Sequence, residues 1–357
     1  MQRLRAGILG ATGAVGQQFV RLLAEHPWFD IAAVAASERS AGKTYREATN
    51  WIGADPMPES VADLTVEACE PGLECDFVFS GLDASVAGDV EKAFAAAGYP
   101  VISNARNHRM DPSVPLLIPE VNPQHTALID RQEWEGGGYI VTNPNCSTVG
   151  LVCALKPLAD AFGLEKVQVS TMQALSGAGY PGVSSLDILG NVIPFIPGEE
   201  EKLETEPRKL LGAVVDDGIQ LYDVQISAQC NRVPVLDGHL ETVSLSLTGG
   251  PDPDSVVDAL RGYRNPLRGL ELPTAPEPFL EVFDEQRFPQ PRRHANLGGG
   301  MTVSVGRVRP CRVLNTRLVV LSHNTVRGAA GGAILNAELL VHQGRLSERR
   351  QVTAKAS

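Results

Sequence analysis

The sequence has no basic excess, no paired cysteines and no long apolar run, and each absence removes a class of function. Of 357 residues, 31 are Lys or Arg and 42 are Asp or Glu, a formal net charge of −11. A surface for nucleic acid or an anionic membrane needs the opposite sign, so neither partner is expected. A small anionic substrate stays open, because a few local arginines reverse the field inside one cleft. The six cysteines, at 69, 75, 146, 153, 230 and 311, form no CxxC pair and no small disulfide scaffold. That pattern fits reduced thiols in a cytoplasmic protein. No stretch of about 18 apolar residues occurs, so no membrane-spanning helix is expected. The basic start, Met1 to Arg5, imitates a signal peptide, but glycines break the apolar run that follows it. Low-complexity tracts and internal repeats are also missing.

What is present is an ordinary globular composition, 43% hydrophobic and 20% charged. The length suits two domains of roughly 100–200 residues each. Residues 4–9 read as a short buried strand, followed by the turn Gly10-Ala11-Thr12-Gly13-Ala14-Val15-Gly16. Val15, Phe19, Leu22 and Leu23 then recur at helical spacing. Further short strands are expected at 31–36, 77–80 and 101–103, with an alanine-rich helix over 84–97. Strands alternating with helices imply βαβ units and a parallel sheet. Beyond residue 146 a helix over 149–162 leads into longer alternating strands at 166–173, 222–230, 240–248 and 301–309, an antiparallel or mixed sheet. The stretch 249–298, rich in proline, arginine and glycine, reads as a linker over the surface. Residues 325–345 return to a helical period.

A GxxGxxG turn between strand and helix lets backbone approach a pyrophosphate while the helix N-terminus stabilises its charge. Gly10, Gly13 and Gly16 supply the close approach, with Thr12, Ala14 and Val15 between them; a tight turn without ligand is the plainer alternative. The end of the second strand separates NAD from NADP. Ser37, Arg39 and Ser40 are donors suited to a 2′-phosphate, which favours NADP, although Glu38 stands among them. The expected fold class is therefore α/β. A Rossmann dinucleotide-binding domain spans 1–145 and an inserted α+β domain spans 146–324. A C-terminal helix within 325–357 returns to the first domain.

Thr142-Asn143-Pro144-Asn145-Cys146-Ser147-Thr148 directly precedes a helical run. That places Cys146 at a helix start, where free N–H groups and the dipole favour a thiolate. Such a sulfur is a nucleophile with oxyanion donors beside it. Cys153, seven residues on, suits an inert core thiol, and a structural role for Cys146 is the alternative. Chemistry at an acyl carbon needs an acid/base group. Among the seven histidines, His239 follows the turn Val233–Gly238 and lies near Arg232, a position suited to a cleft.

Six ordered motifs resemble one family. They are Gly10–Gly16, Ser103-Asn104-Ala105, Pro119–Asn122, Asn143–Thr148, Gln173 with Ser176-Gly177-Ala178-Gly179 and Asn191–Pro194, and Asn324–Gly331. Together they resemble aspartate-β-semialdehyde dehydrogenases, nearest the archaeal and fungal branch. The resemblance implies that the inserted domain binds substrate and forms a homodimer or homotetramer. It implies reduction of L-4-aspartyl phosphate by NADPH to aspartate semialdehyde, with release of phosphate, in lysine, threonine, methionine and isoleucine biosynthesis. By the same resemblance Cys146 is the nucleophile and His239 the acid/base. Asn145 and Gln173 position the substrate, and Arg232 grips its carboxylate. Arg109 faces the phosphate; Glu199 takes the ammonium and Lys202 helps hold phosphate, with the run Glu199-Glu200-Glu201 leaving the register open. Ser80, Gly81, Asn104, Ser176, Gly177, Gly179 and Asn324 surround the dinucleotide. Two rivals remain: a malonyl-CoA-reductase-type acyl reductase on the same scaffold, and a non-catalytic dinucleotide-binding protein. Whether Arg292 and Arg293 touch substrate is open.

Overall fold

Six short apolar runs become β1 (Leu4–Leu9), β2 (Phe29–Ala36), β3 (Val66–Ala68), β4 (Phe77–Ser80), β5 (Pro100–Ser103) and β6 (Tyr139–Thr142) in the computed structural model, which describes residues 2–349. They form a parallel sheet in the order β3-β2-β1-β4-β5-β6. Parallel strands are covered on both faces, which is why Ile8, Leu9, Phe77, Val78 and Phe79 are all fully buried rather than alternating. Phe19 stacks on Phe79 at 4.7 Å, and Phe29 meets Phe77 edge-on, sealing one face. The strand order reverses between β1 and β4. A crevice opens there at the carboxyl ends of the strands, the usual seat of a dinucleotide.

The remaining strands are β7 (Leu164–Gln173), the hairpin β8 (Ala213–Val215) and β9 (Gly218–Gln220), β10 (Gln225–Arg232), β11 (His239–Leu247), β12 (Leu280–Phe283), β13 (Val303–Pro310) and β14 (Thr316–Ser322). Six of them build a mixed sheet, β10-β7-β11-β14-β13-β12, parallel at its two edges and antiparallel in the middle. Its inner face, with Val167, Val169, Val243 and Val320, packs on Leu151 and Leu155, on Leu203 and Leu210, and on Val256 and Leu260. Those residues lie on the helices Cys146–Phe162, Glu199–Leu210 and Pro253–Gly262. The outer face is polar, with Gln168, Gln225, Ser227, Gln229 and Thr242 exposed.

One sequence expectation changes here, and one central strand was not read. Residues 249–298 are no mere surface linker. Asp252 caps the helix Pro253–Gly262 with a hydrogen bond from Ser255 N, β12 adds an edge strand, and Leu267 and Leu272 enter the core of the first sheet. Pro253 at the first helical turn is a start signal rather than a breaker. β14 also escapes the alternation test, because Leu318 to Leu321 is a continuous buried run in a central strand. The helix Gly331–His342 packs Ala333, Ile334, Leu335, Leu339 and Leu340 into the core of the first sheet. Residues 350–357 of the expected C-terminal segment lie outside the described residues. Among the described residues no helix is long and apolar enough to cross a membrane.

Candidate active site

Asn145 ends the loop after β6 and caps the helix that begins at Cys146. Its Oδ1 accepts from Ser147 N at 3.0 Å and Thr148 N at 3.3 Å. This points the thiol at the crevice. His239, the first residue of β11, comes from a different sheet and 93 positions away, yet its Nε2 lies 3.3 Å from Cys146 Sγ. The Ala174 amide donates to His239 Nδ1 at 3.1 Å. An amide N–H can only donate, so Nδ1 is bare and the ring hydrogen of the neutral imidazole sits on Nε2, facing the sulfur.

Both groups rest uncharged. Burial, and then the charge of Arg232, push His239 down to about 3. Burial, reinforced by Glu199 and opposed by Lys202, Arg109 and Arg232, pushes the Cys146 thiol up to about 12. A standing thiolate was the expectation from the helix start; desolvation outweighs the dipole and three cations. Cys146 retains partial exposure.

Around this pair the charged residues interlock. Glu199 accepts from Asn145 Nδ2 at 2.9 Å, from Gln173 Nε2 at 3.2 Å and from Lys202 Nζ. Burial works against its ionisation, but Lys202 and these donors hold the carboxyl below its ordinary range. Glu200 instead turns to the sheet and accepts from Cys230 N, and Glu201 is exposed, so Glu199 and Lys202 are the inward pair. Arg232 ends β10 beside Gln173 and donates to Ala174 O at 2.7 Å. Arg109 donates to Glu206 Oε1 at 2.8 Å and to Asn104 O at 2.7 Å. All eight expected catalytic and substrate residues therefore converge on one locus.

The glycine turn is as close as its pattern demands. Gly10 has φ +75°, and a Cβ on Gly16 would stand 2.2 Å from Gly10 O. No side chain caps the helix Ala14–Leu23, which leaves its first-turn N–H groups available to a ligand. Ser80 Oγ is buried without a partner, and Gly81 donates to Leu9 O. Asn104 accepts from Asn143, while Asn324 accepts from Gly238 N and donates to Ser176 Oγ, both at 2.8 Å. A Cβ on Gly177 would lie 2.9 Å from both Arg232 Nη1 and His239 Cε1. Gly179 has φ +72°. A cleft of about 680 Å³ runs between Ala14–Arg21 and Leu175–Val183. Ser37 and Arg39 are exposed and Ser40 half-buried in the turn after β2. These groups fit a dinucleotide.

Arg292 and Arg293 are exposed on the short helix Pro291–His294, where Arg293 stands over Phe288. Cys153 is fully buried, with Arg327 Nη2 3.3 Å from its sulfur. Three participants were not read from the sequence. A Cβ on Gly328 would meet Cys146 Cα at 2.8 Å, Ala174 fixes the imidazole, and Glu206 binds Arg109. Glu206 carried a signal in its seven-residue spacing from Glu199, and Gly328 lay within the motif Asn324–Gly331, while Ala174 carried none.

A dinucleotide-sized cleft next to a thiol–imidazole pair is the arrangement of an oxidoreductase. Residues 5–129 match the semialdehyde dehydrogenase NAD-binding domain and 155–327 the semialdehyde dehydrogenase dimerisation domain. The aspartate-semialdehyde dehydrogenase of Schizosaccharomyces pombe is 50% identical over 351 residues, covering 95% of this chain and 98% of that protein. The enzyme of Archaeoglobus fulgidus is 49% identical, covering 96% and 99%. The structure of the Candida albicans enzyme with NADP superposes with a TM-score of 0.89 at 44% identity, covering 96% of this chain and all of that one. The chain belongs to the aspartate-semialdehyde dehydrogenase family and is an oxidoreductase acting on an aldehyde.

Proposed function

We propose that the chain reduces L-4-aspartyl phosphate to L-aspartate 4-semialdehyde with NADPH, releasing phosphate, as a cytoplasmic homodimer or pair of homodimers. The 3.3 Å contact between Cys146 Sγ and His239 Nε2, ringed by Glu199, Lys202, Arg109 and Arg232, carries this reading. Arg232 grips the α-carboxylate and Glu199 takes the ammonium, while Asn145 and Gln173 hold Glu199 in place. Lys202 and Arg109 face the phosphate. As the Cys146 sulfur bonds to the acyl carbon, the bond from that carbon to the phosphate oxygen breaks, and phosphate leaves between those two cations carrying the thiol proton, with a thioester left on the cysteine. Bound nicotinamide supplies the hydride that turns this acyl group into an aldehyde. The Nε2–H of His239 hydrogen-bonds the carbonyl oxygen as charge builds there, and then the sulfur as the C–S bond breaks, with a proton from solvent restoring the thiol. Enclosure of the pair keeps water from the thioester.

NADP rather than NAD is supported by Arg39, Ser37 and Ser40, which stand where a 2′-phosphate reaches the end of β2. The exposed polar face of the mixed sheet, with exposed Tyr180, Leu186, Leu189 and Phe195, supports pairing of two copies. The same reading divides the chain into 1–145, 146–324 and 325–357. The test runs the reaction backwards, with aspartate semialdehyde, phosphate and either nucleotide. NADPH formation that requires phosphate is expected, and Cys146→Ala should lower it by about 10⁴-fold or more while NADPH still binds. Near-normal turnover in that variant, or a requirement for CoA in place of phosphate, overturns the assignment.

A further inference from the structure

The helix Glu199–Leu210 carries four charged groups on one face. Spacings of three and four align Glu199, Lys202, Glu206 and Lys209 in a stripe. The first two belong to the substrate end. Glu206 and Lys209 are not themselves assigned to substrate, yet each is only 2% exposed. Glu206 Oε1 accepts from Arg109 Nη1 at 2.8 Å, and its Oε2 accepts from the Asn145 amide at 2.7 Å. Lys209 Nζ donates to the carbonyls of Arg109 at 2.7 Å, Asp111 at 2.6 Å and Val114 at 2.8 Å. Burial pushes this ammonium down to about 8, with the charges of Asp111 and Glu206 opposing.

Arg109 is thus held twice by one helix, at its backbone through Lys209 and at its guanidinium through Glu206. Its Nη2 is fixed on Asn104 O, while its Nε is buried with no partner. A planar guanidinium with two nitrogens fixed is held in a single orientation. The same Glu206 carboxylate holds the amide of the residue preceding the nucleophile. One oxygen serves the phosphate side and the other the sulfur side.

We propose that Glu206 is a positioning residue: its carboxylate ties the phosphate-facing guanidinium of Arg109 to the backbone next to Cys146, fixing the distance between leaving group and sulfur. This rests on the reading of Arg109 as a phosphate ligand. The reason to build such a tie is that attack needs the sulfur, the acyl carbon and the leaving oxygen held in one geometry, and displacements of about 1 Å cost up to about 10²-fold in rate. Glutamine at 206 keeps the shape but has one acceptor oxygen. Its NH₂ faces either the Asn145 N–H or Arg109, so one of the two links is lost.

The experiment measures phosphate-dependent oxidation of aspartate semialdehyde with NADP in Glu206→Gln, Arg109→Ala and the double variant. Glu206→Gln should raise the KM for phosphate about tenfold and lower kcat by about tenfold, with the NADPH Kd within about twofold. In the Arg109→Ala background the same substitution should leave the phosphate KM where Arg109→Ala alone puts it. A normal phosphate KM in Glu206→Gln, or an equal further rise in both backgrounds, overturns the proposal while leaving Arg109 as a phosphate ligand. A normal phosphate KM in Arg109→Ala removes that ligand reading, and the proposal with it. Should Glu206→Gln fail to fold, Arg109→Lys is the second probe. One ammonium cannot reach both Glu206 and phosphate, so its phosphate KM should also rise about tenfold; a normal value sinks the tie.

Discussion

Cys146 and His239 meet as two neutral groups, and a single backbone amide decides how. Because Ala174 N–H occupies Nδ1, the ring hydrogen points at the sulfur and later at the carbonyl oxygen. The neutral ring therefore works first as a donor, a role suited to charge that appears only during reaction. Its orientation depends on the missing side chain at Gly177. Gly177→Ala would press a methyl against Arg232 Nη1 and His239 Cε1, both at 2.9 Å. We expect kcat/KM to fall by about 10²-fold, with little change in the thermal midpoint. Steady-state kinetics beside a melting curve checks this, and unchanged kinetics would show that the ring has room to move.

At the scale of elements, the catalytic helix is fixed at its first turn from several directions. Asn145 caps it and bonds Glu199, Glu206 holds the Asn145 amide, and Gly328 lies against Cys146 Cα. The segment carrying Gly328 is anchored by the buried pair Arg327–Glu120, bidentate at 2.5 and 2.8 Å. Both members are 1% exposed, so removing one leaves an uncompensated buried charge. Glu120→Gln should therefore cost about 3–5 kcal/mol of stability. Denaturant unfolding measures it; a loss under about 1 kcal/mol would mean that Arg327 finds another partner. Asn145→Ala is a milder lesion for the fold, about 1 kcal/mol for a lost cap. Its effect on turnover should be far larger, because Glu199 also loses one of its two amide donors. Equal modest effects on both would remove Asn145 from the substrate site.

Over the whole molecule, buried histidines set the acid limit of stability. His125 is fully buried between Asn122 Nδ2 at 2.9 Å and Gly212 O at 3.0 Å, and burial pushes it down to about 4. His239 is pushed down to about 3. Both are neutral in the fold but have a pKa of about 6.5 in an unfolded chain. Their contribution is complete above about pH 6.5 and is lost as pH falls toward 4, where the unfolded chain takes up protons that the fold refuses. His125 alone should remove about 3 kcal/mol across that window. Urea unfolding at pH 7 and 4.5 should show this, with a shallower pH slope in His125→Gln; the same slope in both proteins would refute it.

The sequence by itself determined the elements whose pattern is local. The strand at Leu4–Leu9, the glycine turn and the helix behind it follow from apolar spacing and from a close approach that only glycine permits. Asn145 before a helical run likewise announces a cap. β12 was illegible because four residues are too few to show a period, and β6 and β14 because burial on both faces erases the alternation that marks a strand. Only the tertiary structure decided which residues share a site. His239 reaches Cys146 because β11 lies beside β7 and starts where the catalytic helix begins, and Glu206 reaches Arg109 across 97 positions. It also decided charge. A helix start favours a thiolate in isolation, but the desolvation that keeps the sulfur protonated exists only once the chain has closed around it.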